Sequence, residues 1–112
     1  MRVLLDECLP RRLKADLPEH EVQTAQEAGW AGLQNGALLA LAAPLFDVFL
    51  TVDRNIIFQQ NVKGLNIAVV VMIARSNRLV DLRPLMPEVR VALQKVRSGE
   101  VLRVGEHRGD NL

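Results

Sequence analysis

Three carboxylates stand where apolar runs stop. Val3-Leu4-Leu5 ends at Asp6-Glu7, and Val48-Phe49-Leu50-Thr51-Val52 ends at Asp53. Short apolar, β-branched runs suit strands buried on both faces. In open α/β sheets ligands gather beyond the carboxyl ends of the strands, where the strand order reverses. If these two strands are neighbours across such a point, about 4.8 Å apart, Asp6 and Asp53 converge on one crevice and can share a divalent cation. Hard oxygen donors without a His or Cys cluster select Mg²⁺ or Mn²⁺ over Zn²⁺. Such an ion stabilises charge on phosphate oxygens and generates a hydroxide nucleophile, so the chemistry is phosphodiester hydrolysis or phosphoryl transfer. Asp6 and Asp53 are the candidate metal ligands, and with Glu7 as an assisting base they are the candidate catalytic residues. The competing reading is helix capping, which accounts for one acid per helix but not for the pair Asp6-Glu7.

The other chemistry-bearing residues are sparser. Cys8 adjoins the acids, but no His stands close in sequence to make it a nucleophile. Arg11, Arg12 and Lys14 form a basic cluster, and Arg54, Lys63, Arg75, Arg78 and Arg83 offer a further rim; such residues hold phosphates without reading sequence. Arg11 and Arg54 are the candidate substrate contacts among them. Asn35 and Asn55 are candidates for neutral oxygen ligands or phosphate contacts, with capping and turn formation as alternatives. Glu27 is either a further rim acid or a solvated loop residue. One Trp and three Phe leave little for base stacking.

The elements that would position these groups alternate. Residues 2–5 read as the first strand, and Pro10 with Leu9, Leu13 and Leu17 as a first helix. His20–Thr24 is a weak strand. Asn35, as N-cap, opens a helix through Leu38, Leu39, Leu41 and Ala42 that Pro44 ends. Asp47–Asp53 is the third strand, Asn55–Asn61 a helical turn, and Ile67–Ile73 the strongest strand signal. Leu82, Leu85, Val89, Leu93 and Val96 follow a helical period up to Gly99, and Val101–Val104 is a final strand, expected at an edge and open to an antiparallel direction. Met72, Leu85 and Met86 are candidates for a dimer contact. The pattern predicts an α/β fold: a three-layer α/β/α sandwich around a mostly parallel central sheet with right-handed crossovers.

The chain has 112 residues, with 14 Lys and Arg against 13 Asp and Glu, a net charge of +1 and one cysteine. That length gives one domain, expected over residues 1–105 with a frayed tail at 106–112. The near-zero charge gives no global attraction to nucleic acid or membrane. No apolar run is long enough to span a bilayer, so the expected location is the cytoplasm, with no membrane partner.

Three segments together resemble a bacterial PIN-like family: Leu4–Leu13 (L-L-D-E-C-L-P-R-R-L), Ala28–Leu39 (A-G-W-A-G-L-Q-N-G-A-L-L) and Phe49–Ile56 (F-L-T-V-D-R-N-I) with Gln59-Gln60-Asn61. The resemblance covers most of Met1–Ile73. It implies a PIN-like α/β/α fold, Mg²⁺- or Mn²⁺-dependent ribonuclease activity, RNA as substrate, and an antitoxin protein as partner to a toxin. It places Asp6 as the first acid and Asp53 as the strand-end acid after Thr51. The chain departs from that family at Cys8, where relatives often have Asn, and at Asn35 and Asn55, where they tend to carry an acid. Two rivals stand beside it. One is a phosphoacceptor receiver-like domain, with Asp53 as the phosphorylated residue, which requires a Ser or Thr ending the fourth strand and a Lys ending the fifth. The other is a module that binds RNA or a protein without cutting, and a homodimer is compatible with all three.

Overall fold

The computed structural model describes residues 1–56 and 62–105. Five short strands, β1 (Arg2–Leu5), β2 (Glu21–Thr24), β3 (Val48–Thr51), β4 (Ala68–Met72) and β5 (Val101–Val104), form one sheet of order β2-β1-β3-β4-β5. Every pairing is parallel. The antiparallel direction left open for the last strand is therefore corrected: β5 sets Val101 beside Val69 in the same direction as β4. The long connection between them carries the chain back to the starting edge of the sheet, as a parallel neighbour requires.

Alternation of side chains along each strand sorts the core into two layers. Val3, Leu5, Val48, Leu50, Ala68, Val70 and Met72 point to one face, where Leu9, Leu13 and Leu17 from the first connection and Leu82, Val89 and Leu93 from the last pack on them. Leu4, Phe49, Val69 and Val71 point to the other face, against Leu38, Leu39 and Ala42 of helix α1 (Asn35–Ala42) and against Ile56 and Val62. The three-layer α/β sandwich expected from the alternation of elements is the observed architecture. Uniform crossover handedness is not. The β1–β2 and β4–β5 connections cover the same face while stepping in opposite directions across the sheet, so they have opposite hands. The β2–β3 and β3–β4 connections share the hand of β1–β2, which leaves β4–β5 as the exception to the usual rule. Its longer helix, Met86–Lys95, packs on β4 and β5.

Local chemistry explains the shapes of the connections. The first is a 3-10 helix, Arg11–Asp16, rather than the expected α-helix; prolines at 10 and 18 leave it no length to propagate. The last splits into α2 (Leu79–Leu82), a 3-10 turn Arg83–Leu85 and α3 (Met86–Lys95), because Pro84 and Pro87 donate no backbone hydrogen bond and fit only first-turn positions. Met72, Leu85 and Met86 are core residues in this packing, which corrects their expected role as a dimer face. The expected turn at Asn55–Asn61 and tail at 106–112 fall largely or wholly outside the described residues, as do Gln59, Gln60 and Asn61. No helix among the described residues is long and apolar enough to cross a membrane.

Candidate active site at the carboxyl edge of the sheet

The chain leaves β1 toward one face and enters β3 from the other, so the reversal of strand order falls between β1 and β3. The register pairs Leu5 with Leu50, and the Asp6 amide continues the ladder by donating to the Leu50 carbonyl at 3.0 Å. The next position on each strand is thereby fixed. Asp6 stands beside Thr51, and the two-residue period sets Asp6, Thr51 and Asp53 toward the face that α1 covers.

A hydrogen-bonded chain results. The Thr51 hydroxyl, fully buried, donates to Asp6 Oδ2 at 2.6 Å, and Thr51 Oγ1 in turn accepts the Asp53 amide at 3.0 Å. Asp53 Oδ2 accepts from Asn35 Nδ2 at 2.7 Å, and its Oδ1 accepts the Asn55 amide at 2.9 Å. Asp6 is 7 % exposed and Asp53 half-buried. Capping describes Asp53 in part, since its bond to Asn55 closes a turn. It does not describe the Asp6 side chain, whose oxygen goes to a hydroxyl on the neighbouring strand. Thr51 is the residue that sequence reasoning missed. Its signal was the alternation itself: a lone hydroxyl two positions before a strand-end acid, inside an otherwise apolar strand.

The other candidates divide. Asn35 is not the N-cap: Gln34 holds that position without a side-chain cap, and the Asn35 amide reaches across to Asp53 instead. Glu7 is exposed, and its carboxylate accepts the Gly32 amide at 2.8 Å, while its carbonyl accepts from Gln26 Nε2 at 2.9 Å. It pins the loop that leads into α1 and so positions Asn35. Arg54 is exposed beside Asp53. Arg11 instead lines a groove of about 540 Å³ with Arg12, Lys14 and Arg83; two of its cations are paired, Lys14 with Glu27 at 2.6 Å and Arg83 with Asp16 at 3.1 Å. Glu27 is neither rim acid nor free loop residue. It and Thr24 exchange backbone-to-side-chain bonds at 2.9 and 3.0 Å, a capping box. That box opens a single turn closed by Trp30 and Gly29 donating to Ala25 and Gln26, with Gly29 at φ +82°. The Lys14 ammonium and the Thr24 amide hold the Glu27 carboxyl below its ordinary value.

Cys8 reports on the acids. Burial, the Asp6 charge and a hydrogen bond to Asp6 push its thiol up to about 11. A neutral thiol donating to a carboxylate is not a nucleophile. Ser76, the residue nearest to the hydroxyl that a receiver domain needs after β4, donates to Asp81 at 2.5 Å and accepts the Arg78 amide, so it serves α2 and not Asp53.

Family models, curated proteins and solved structures yield no match to this chain. The reading of the site therefore rests on its own geometry. Among the described residues no group of three or more His, Cys, Asp or Glu side chains converges to hold a metal ion. What the hydrogen bonds link is the Asp6 carboxylate, the Thr51 hydroxyl and the Asp53 backbone, with the Asn35 amide on the Asp53 carboxylate. This donor set suits Mg²⁺, which is bound through one or two carboxylates and completes its shell with waters and substrate phosphates. A carboxylate accepts about four hydrogen bonds in all, so the two bonds on Asp53 leave it acceptor capacity.

Proposed function

We propose that the chain is a Mg²⁺- or Mn²⁺-dependent ribonuclease with its site at the β1/β3 switch point. The observation that carries the reading is the Thr51 hydroxyl, within hydrogen-bond distance of both Asp6 Oδ2 and the Asp53 amide. It supports convergence of two acids distant in sequence on one crevice. Asp6 and Asp53 would hold the ion. When bound, such an ion supplies charge stabilisation on the scissile phosphate and acidifies an attacking water. Thr51 orients Asp6 by donating to it, Asn35 orients Asp53, and Glu7 acts through the loop it pins. Arg54, exposed next to Asp53, is positioned for a substrate phosphate, and Arg11 with Arg12 for phosphates further along the backbone. RNA as the substrate, and an antitoxin protein as partner in the cytoplasm, are the part of the reading supported by the PIN-like motifs around Asp6, Asn35 and Asp53.

A non-cutting module is the second reading, favoured by the finding that no three or more His, Cys, Asp or Glu side chains among the described residues group to hold a metal ion. One experiment separates the two. Mn²⁺ is titrated against thermal stability, and cleavage of a fluorophore-quencher RNA is followed in the same samples. The expected result is a stabilisation that saturates, as mass action requires of a ligand bound only by the folded state, with cleavage that EDTA abolishes; both are lost in Asp6→Asn. Stabilisation without cleavage selects the non-cutting module, and no stabilisation by Mn²⁺ overturns the metal site.

A further inference from the structure

The chain turns sharply at the end of β1. The Leu9 amide donates to the Asp6 carbonyl at 2.9 Å and closes a turn over residues 6–9. That bond uses the carbonyl of Asp6 and leaves those of Glu7 and Cys8, the two central residues, without a partner inside the turn. Each takes a side-chain amide from elsewhere. Gln26 Nε2 donates to the Glu7 carbonyl and Asn77 Nδ2 to the Cys8 carbonyl, both at 2.9 Å, from 19 and 69 residues away in sequence.

The two donors arrive from opposite sides. Gln26 follows β2, which pairs with β1 at the edge of the sheet, while Asn77 follows β4, two places along in the other direction. The segment carrying Asn77 thus reaches past β3, about two strand spacings or roughly 10 Å. Its flanks, Ala74 and Leu79, pack on the same core cluster as Cys8. Each donor is also held by a turn of its own. Gln26 lies between Thr24 and Glu27, the two ends of the capping box, and its carbonyl accepts the Gly29 amide at 3.0 Å. Asn77 lies between Ser76 and Arg78, and the Ser76 hydroxyl donates to Asp81 while accepting the Arg78 amide at 3.0 Å. A donor whose backbone is fixed on both sides has less freedom to lose when its side chain bonds.

We propose that Gln26 and Asn77 are positioning residues for the candidate site, clamping the turn that carries Asp6 from its two flanks. The inference rests on the reading of Asp6 as a metal ligand. Thr51 sets the Asp6 side chain, and the clamp sets the backbone behind it. Loops move more than the elements they join, and a ligand group must be held within about 0.5 Å of its working geometry. Both side chains are exposed, so water replaces either bond when it is lost and the global stability changes little. Loss of the clamp is therefore felt at the site and not in the fold.

Two readouts on the full chain test this: the Mn²⁺ concentration that half-saturates the thermal stabilisation, and the exchange rate of the Leu9 amide measured by NMR without metal. Gln26→Ala and Asn77→Ala are each expected to weaken Mn²⁺ about 10-fold, the lower end for loss of an outer-shell partner. Each is also expected to speed Leu9 exchange, with a metal-free melting temperature near that of the parent. Asn77→Gln keeps an amide donor and is expected to recover most of both. Ser98→Ala cuts another exposed bond, from Ser98 Oγ to Asn66 at 2.6 Å at the opposite edge of the sheet, and is expected to change neither. Parent-like Mn²⁺ affinity in both alanine variants overturns the proposal, as does unchanged Leu9 exchange or an equal response in Ser98→Ala. A wild type that binds no Mn²⁺ removes the reading of Asp6 as a ligand but not the clamp, which faster Leu9 exchange in the variants then supports and unchanged exchange overturns.

Discussion

The carboxyl edge of this sheet has two halves that differ in every respect relevant to chemistry. Where β1 and β3 end, Asp6, Thr51, Asp53 and Asn35 make a polar chain with a buried hydroxyl at its centre. Where β4 and β5 end, the residues are Met72, Ile73, Val104 and Gly105, and the chain closes on itself: the Ile73 amide donates to the Val104 carbonyl at 2.7 Å. Gly105, at φ +97°, lies so close that a Cβ there would fall 2.7 Å from the Ile73 oxygen and 3.2 Å from Leu85. The connections explain the difference. At β1 and β3 they depart to opposite faces, the arrangement at which ligands gather in α/β sheets, whereas the helical connection after β4 packs back over the strand ends. One half is polar, as the proposed site requires, and the other is apolar and closed.

The contrast predicts opposite mutational signatures at the two halves. The largest effect is expected from Asp6→Asn and Asp53→Asn, each lowering RNA cleavage by more than the 10- to 100-fold typical of losing an outer-shell partner, with thermal stability near that of the parent. Gly105→Ala is expected to do the reverse. It destabilises by about 2–4 kcal/mol through overpacking and the left-handed backbone, read as a lowered urea midpoint, while the Mn²⁺ response of the folded fraction is unchanged. If Gly105→Ala also weakens Mn²⁺ binding, the two halves are not independent.

Smaller effects sharpen the same division. Thr51→Val removes the hydroxyl and leaves a buried Asp6 oxygen without its donor, costing about 1–3 kcal/mol and weakening Mn²⁺ about 10- to 100-fold; Thr51→Ser should restore most of both. Asn35→Asp adds a charge beside Asp53. It is expected to raise the apparent Mn²⁺ affinity, since charge count tunes such sites, and to lower stability without metal through carboxylate repulsion. The smallest effect belongs to Cys8. Its folded-state pKa lies above its ordinary value, so the folded chain holds the thiol proton more tightly than the unfolded chain does. The associated stability is complete below the ordinary thiol range and is lost as pH rises through about 11. Alkylation by iodoacetamide at pH 8 is accordingly expected to be slow, and faster in Asp6→Asn, which removes the neighbouring charge.

The sequence made much of this legible, and the reasons are local. Val3-Leu4-Leu5 and Ile67–Ile73 are apolar and β-branched enough to read as buried strands, and both are. The alternation of strands and helices led to the sandwich, and the placing of β1 beside β3 came from asking where two strand-end acids would meet. What stayed hidden depends on register and on competition between partners. Thr51 becomes part of the site only once Leu5 is paired with Leu50. Asn35 read as a cap because Asn is a good one, yet its amide bonds Asp53, which no local rule foresees. The hand of the β4–β5 connection departs from the expected right-handed crossover because handedness is a global property of the chain. The Thr24–Glu27 box was readable in principle as T-x-x-E before a turn, but without a long apolar run after it the motif did not stand out.

The central claim is that Asp6 and Asp53 share one cation. Crystals grown with Mn²⁺ and measured for anomalous scattering test it most directly. The account predicts a single strong peak within bonding distance of both carboxylates, lost in Asp53→Asn crystals; a peak bound elsewhere, or bonded to one aspartate alone, would contradict it.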